Sequence, residues 1–184
     1  MCLIIRYTEC VFQKIQSVMY SGYTKVFQHD TSGGLFTSYK DVGSRNRNNP
    51  RANLFSIFNQ LEKYRGKNNK FRFKLCYPEH KLCNEWYQSS NPYLESSIEG
   101  FQGIHLEFRT TGVSRRKWAG IGKCAKNMIN GAFIDDTPDV KRVSQTAIGA
   151  NRYSPRKRFI PGPKSSTTKV QLYVMPSSDV EQGR

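Results

Sequence analysis

The sequence predicts an α+β fold, mainly antiparallel β with one prominent amphipathic helix. Three observations predict it. Several short stretches alternate apolar with polar residues, and one stretch follows the helical i, i+3, i+4, i+7 rule. Gly, Pro and Ser punctuate the joins, with no internal repeat of the roughly 20–50-residue kind. At 184 residues, 37% hydrophobic and 12% aromatic, the chain has apolar material for one core, which excludes global disorder. A chain of this size needs no metal or dense disulfide framework to fold.

Residues 1–21 read as a leader or truncated N-terminal segment, 22–175 as a single recognition domain and 176–184 as a flexible tail. The opening MCLIIRYTECVF holds an apolar run interrupted by Arg6, too short for a signal-peptide core, and no stretch approaches transmembrane length. Either the protein stays in the cytoplasm or its true start lies further upstream. From Gly22 to Phe27 the pattern predicts a strand, with Tyr23, Lys25 and Phe27 on one face and Thr24 and Val26 on the other. It runs into the turn formers HDTSGG, and Ser44 to Pro50 reads as an exposed loop.

The helix is expected over residues 50–65. Asn49 caps it, Pro50 suits its first turn, Leu54, Ile57, Phe58 and Leu61 form its apolar stripe, and Gly66 stops it. Phe71, Phe73 and Leu75 then alternate with Arg72 and Lys74 in a half-buried strand ending before Pro78. Further strands carry Ile104, Leu106 and Phe108, then Val170, Leu172 and Val174.

Charge is the compositional outlier. Lys and Arg number 29 against 14 Asp and Glu, a formal net charge of +15 spread over both halves of the chain. Such a potential draws polyanions: nucleic acid, sulfated glycan, anionic lipid or acidic matrix polymer. A basic, solvated surface with no particular partner is the other reading. The densest runs are Arg115-Arg116-Lys117 and Arg156-Lys157-Arg158, candidate polyanion contacts, with nine basic residues and the single acid Glu62 between Arg45 and Lys74. Tyr153 and Phe159 flank the second run, as in nucleic-acid binders, but no RRM, KH, zinc-finger or helix-turn-helix signature accompanies it.

Five cysteines are too few for a disulfide scaffold. Cys76 and Cys83 lie seven apart across a turn containing Pro78, a separation a hairpin-like closure bridges. Cys2, Cys10 and Cys124 have no assigned role, and without a CxxC pair a structural zinc site is not expected. No N-x-[ST] sequon occurs.

Two local clusters suggest ligands. Asp135, Asp136 and Asp139 place carboxylates on one loop, which suits either calcium or an Asp-rich turn bonded to its own backbone. In CNEWYQSSNP, Trp86 and Tyr87 suit stacking on a sugar ring while Asn84, Glu85 and Gln88 bond its hydroxyls; the alternative is a core tryptophan followed by an Asn-Pro turn. Catalysis has little support. His29, His80 and His105 lie far apart, GxSxG and HExxH are missing, and GIGK at 120–123 lacks phosphate-loop spacing. A Cys–His pair at His80 has no thiolate if Cys76 and Cys83 are bridged.

One resemblance emerges from these residues. YTKVFQHDTSGGLF (23–36) looks like the opening of fibrinogen-related domains. Taken with NPRANLFSIFNQLEKYRG (49–66), FRFKLCYPE (71–79), CNEWYQSSNP (83–92), GFQGIHLEF (100–108), WAGIGK (118–123), FIDDTPD (133–139), IPGP (160–163) and KVQLYV (169–174), the series resembles a longer domain. That domain is an extracellular module of secreted proteins in cnidarians and other marine invertebrates, coral skeletal organic matrix proteins among them. The resemblance implies a fibrinogen-C-terminal-like fold, secretion, an upstream start and no enzymatic activity. It implies no required cofactor, with calcium the one candidate, and a glycan or acidic extracellular polymer as partner. An intracellular nucleic-acid-binding protein is the alternative. Two departures stand out: Tyr23 where the family usually has Trp, and VKRVSQT rather than a Trp-rich stretch before AIGA (147–150).

Overall fold

Alternation builds most of the sheet. In a computed structural model, residues 22–34, 36–107, 118–123, 133–135, 146–147 and 168–176 are described. The first strand is β1 (Thr24–Asp30), followed by a 3-10 turn at Thr31–Gly33 that Asp30 organises by accepting from the amide and hydroxyl of Ser32 at 3.0 and 2.7 Å. A short helix, α1 (Tyr39–Gly43), starts at Ser38, whose hydroxyl accepts from the Asp41 amide at 3.1 Å. Strands β2 (Leu54–Ser56), β3 (Phe71–Tyr77), β4 (Leu82–Gln88) and β5 (Gln102–Leu106) follow, and the last long strand is β9 (Lys169–Val174). These strands form a six-stranded antiparallel sheet in the order β2-β1-β9-β3-β4-β5. The strand last in sequence therefore lies inside the sheet. Short strands β6 (Gly122–Lys123), β7 (Phe133–Asp135) and β8 (Thr146–Ala147) pair in a second, three-stranded sheet. The fold is thus mainly antiparallel β with short helical turns.

The long helix expected over residues 50–65 does not form. Residues 54–56 are strand β2, paired with β1, and Phe58–Tyr64 is a 3-10 helix. Asn49 and Pro50 lie in the preceding turns instead of capping a helix, with the Asn49 amide donating to the Asn46 carbonyl at 2.7 Å. The apolar stripe itself is real: Leu54, Ile57, Phe58 and Leu61 are all buried. Phe55 and Ser56 are buried too, however, so five consecutive side chains face protein and no single helical face accounts for them. The β1 edge needs backbone partners, and Ser56 also exchanges both backbone hydrogen bonds with Arg45 and donates its hydroxyl to the Val42 carbonyl.

Two bulges revise the expected faces. Lys25 pairs with Tyr173 and Phe27 with Leu172, so Val26 is an extra residue in β1. The bulge turns Lys25 away from the core while Val26 and Phe27 both enter it, whereas the sequence pattern put Lys25 and Phe27 together. In β5 the extra residue is Ile104, left 42% exposed rather than facing inward.

The core lies on one face of the sheet. Phe71, Phe73 and Leu75 of β3, Trp86 of β4 and Val170, Leu172 and Val174 of β9 point into it. Phe27 packs against Phe36 and Phe58, with ring centroids 5.3 and 5.0 Å apart. Trp86 meets Trp118 edge-on at 4.8 Å.

Candidate functional site on the outer face of the sheet

Because β-strand side chains alternate, the strands that build the core also build a second, outward face. Register aligns it into rows. One row runs Lys25–Tyr173–Lys74–Glu85–His105 across β1, β9, β3, β4 and β5. Beside it runs Phe55–Gln28–Gln171–Cys76–Cys83, a row in which Phe55, Gln28 and Cys76 are buried, and Arg72 pairs with Tyr87 on the other side. Cys76 and Cys83 meet as direct cross-strand partners with Cα atoms 4.2 Å apart, joined through sulfur and well inside the expected limit.

The acids of this face are engaged by the protein. Glu85 accepts from the Tyr23 hydroxyl at 2.5 Å and from Arg72 Nε at 2.7 Å. Asp30 pairs with Lys169 at 2.9 Å; burial pushes its carboxyl up, but hydrogen bonds from Ser32 and Lys169 outweigh this and hold it below the usual range. The tyrosines lie among cations. Lys25 Nζ is 5.9 Å from the Tyr173 ring centroid, Lys74 Nζ is 5.7 Å from that of Tyr23, and the Arg72 guanidinium is 5.9 Å from those of both Tyr23 and Tyr87. Burial, then the Glu85 hydrogen bond, raises the Tyr23 hydroxyl well above its ordinary range, so it stays a donor at neutral pH.

Lys25 is the most perturbed cation. Its ammonium donates to Gln28 Oε1 at 2.9 Å and to the Pro50 carbonyl at 3.2 Å. Burial first, and the nearby charge of Lys169 second, lower it from 10.5 to about 8. An amide network supports this surface: Gln171 donates to the buried Gln28 at 2.7 Å, and the Tyr173 hydroxyl donates to Gln171 at 2.8 Å. Ammonium groups and aromatic faces in register suit an extended anionic ligand with ring or hydroxyl character.

At the β3–β4 end the face hollows into a cleft of about 440 Å³, floored in part by the disulfide, Pro78 and Leu82 and edged by Lys74, Lys81 and His105. Glu107, also in its lining, accepts from the Cys83 amide and lies 3.7 Å from His105 Nε2.

The pleat splits the sugar-binding cluster read from the sequence. Asn84, Trp86 and Gln88 point into the core and are fully buried, while Glu85 and Tyr87 point outward. The Trp86 indole therefore presents no face to solvent, which corrects its expected stacking role, and its Nε1 donates to Gln88 Oε1 at 3.0 Å. Gln88 is a structural clamp. Its Oε1 also accepts from the Ile121 amide at 3.2 Å, and its Nε2 donates to the Ser90 and Ile121 carbonyls at 2.9 and 2.8 Å. This amide ties residues 118–121 to β4, and Gly120, at φ +105°, leaves the space: a Cβ there would lie 2.7 Å from Gln88 Oε1.

Asp135 ends β7, while Asp136 and Asp139 lie outside the described residues, as do Arg115, Arg116, Lys117, Arg156, Lys157 and Arg158. Among the described residues no three His, Cys, Asp or Glu side chains gather as a metal site, and no helix is long and apolar enough to cross a membrane. Sequence reasoning offers none of Lys25, Lys74, Lys81, His105 and Tyr173 as a binding residue. The Arg72/Lys74 alternation was a usable signal for one strand, but Tyr173 joins them only through pairing across about a hundred residues. No family model, curated protein or solved structure matches the chain.

Proposed function

We propose that the chain is a non-enzymatic extracellular recognition or matrix module that binds an acidic glycan polymer along the outer face of its sheet. One observation carries this reading: the row in which Lys25 and Lys74 flank Tyr173, two strand spacings or about 10 Å apart, beside acids already engaged by Arg72, Tyr23 and Lys169. The formal charge of +15 supplies long-range attraction for such a polymer. A cross-strand pair at disulfide distance favours an oxidising compartment over the cytoplasm, and so favours a glycan over nucleic acid. The resemblance to secreted matrix domains, with their fibrinogen-like character, points the same way.

Retention on immobilised heparin tests it. The protein should be held at low salt and released steeply as salt rises, because each neutralised charge frees counterions. Replacing Lys25 and Lys74 together by Gln should flatten the slope of log affinity against log salt by about one per lysine, with the circular dichroism spectrum unchanged. A folded double variant with the parental slope would remove this face from the footprint. A folded protein retained by no acidic glycan would sink the reading, and tighter binding to RNA or DNA at equal salt would replace it with the nucleic-acid one.

A further inference from the structure

We infer that the cleft over the disulfide is a subsite for one carboxylated sugar unit, with Lys81 as its anion-binding residue. This rests on the acidic-glycan reading above and deepens it. Among the described residues, three that are not glycine take a positive φ: Asn46 at 49°, Asn69 at 61° and Lys81 at 54°. Asparagine tolerates the left-handed conformation because its short side chain bonds locally; lysine has no such compensation. Lys81 follows the Pro78–His80 turn between β3 and β4, a corner where Gly or Asn is the low-cost choice. A strained residue at the rim of a cleft is where a fold holds a group for binding rather than for its own stability.

The lining selects the ligand class. Disulfide, Pro78 and Leu82 give an apolar floor, suited to the C–H face of a sugar ring and not to the flexible backbone of an acidic peptide. Volume points the same way: about 440 Å³ lies at the small-molecule end of binding pockets and holds a monosaccharide or disaccharide unit. Of the carboxylates in the wall, Glu85 is paired with Arg72, whereas Glu107 keeps its charge while accepting from the Cys83 amide; against it stand Lys74 and Lys81, which leave the cleft a small cationic excess. A sugar carboxylate at Lys81, with hydroxyls toward His105, fits this arrangement. Lys74 belongs to both the cleft and the Lys25–Tyr173–Lys74 row, so a chain end seated here continues onto the strand face.

Titration with trigalacturonate, a short oligomer of carboxylated sugars, followed by calorimetry on the full chain, tests the subsite. Lys81→Asn should weaken binding about tenfold, leave heparin retention nearly unchanged, and hold or raise the melting temperature, since Asn accepts the left-handed backbone. Lys81→Arg should retain binding. The proposal is overturned if Lys81→Asn binds trigalacturonate like the parent, or if affinity and melting temperature fall together, which would make Lys81 structural. It is equally overturned if poly-aspartate binds in a Lys81-dependent way and trigalacturonate does not. Heparin retention with any of these results leaves the broader reading standing, whereas failure of the parent chain to bind heparin and trigalacturonate alike removes both.

Discussion

The inner and outer faces of the six-stranded sheet come from alternate residues of the same strands, yet they are held together differently. Inside, the stabilising groups are closely packed rings such as Phe27 on Phe58 and Trp86 on Trp118. Gln88 sits there with its partners in place, bonded through both its oxygen and its nitrogen. Outside, Tyr23, Lys25, Arg72, Lys74 and Glu85 are only half-buried, and their contacts are ion pairs, hydrogen bonds and cation–ring approaches. The contrast teaches a division of labour. Area removed from water stabilises the inner face, whereas the outer face keeps charge near solvent, where it contributes little to stability and remains able to meet a ligand.

Substitutions on the two faces should therefore separate. Trp86→Ala, which removes one of the two fully buried indoles and one of the two donors to Gln88 Oε1, is expected to cost about 3–5 kcal/mol. Urea unfolding measures it, and a cost below about 1 kcal/mol would show that the inner face is not the main stabilising contact. On the outer face, Glu85→Gln removes the carboxylate shared by Tyr23 and Arg72. The expected cost is about 1–2 kcal/mol by the same measurement, since the guanidinium it leaves is only partly screened by water. A loss matching that of Trp86→Ala would erase the contrast.

Lys25 gives the finest distinction. Its folded value, about 8, lies below the 10.5 of an ordinary lysine, so between those pH values the unfolded chain holds a proton that the folded chain has released. Stability then rises with pH across that window, because the unfolded state binds more protons there. The half-exposed ammonium limits the effect to a few tenths of a kcal/mol per pH unit. Comparing unfolding at pH 7.5 and 9.5 for the parent and for Lys25→Gln isolates it: the parent should gain more on going to pH 9.5. An equal or smaller gain would mean that Lys25 is hydrated like any surface lysine.

Several of these positions were legible before the fold was known. The inward faces of β3 and β9 follow from strict alternation at Phe71, Phe73 and Leu75 and at Val170, Leu172 and Val174, a pattern carried by the local chain. Pairing of Cys76 with Cys83 was also visible, because seven residues around Pro78 leave few ways to turn other than back. The stripe at Leu54, Ile57, Phe58 and Leu61 announced burial correctly but not its geometry. A helix and a strand followed by a 3-10 turn both bury those four side chains, and only the unpaired edge of β1 selects between them.

The candidate site was much less legible, for a physical reason. Local pattern states which side chains avoid water. It does not say which strands become neighbours, or where one bulge reverses a face, as at Val26. Trp86 and Gln88 looked like ligand contacts because aromatic and amide groups serve cores and sugar sites equally well; the pleat sent them inward and left Glu85 and Tyr87 outside. The row of Lys25, Tyr173 and Lys74 joins residues from three distant segments of the chain, and nothing near any of them in sequence marks the others. Composition and alternation thus set a basic chain with a β-sheet core, while long-range strand pairing chose which charges share a surface, because register is settled between strands and not within them.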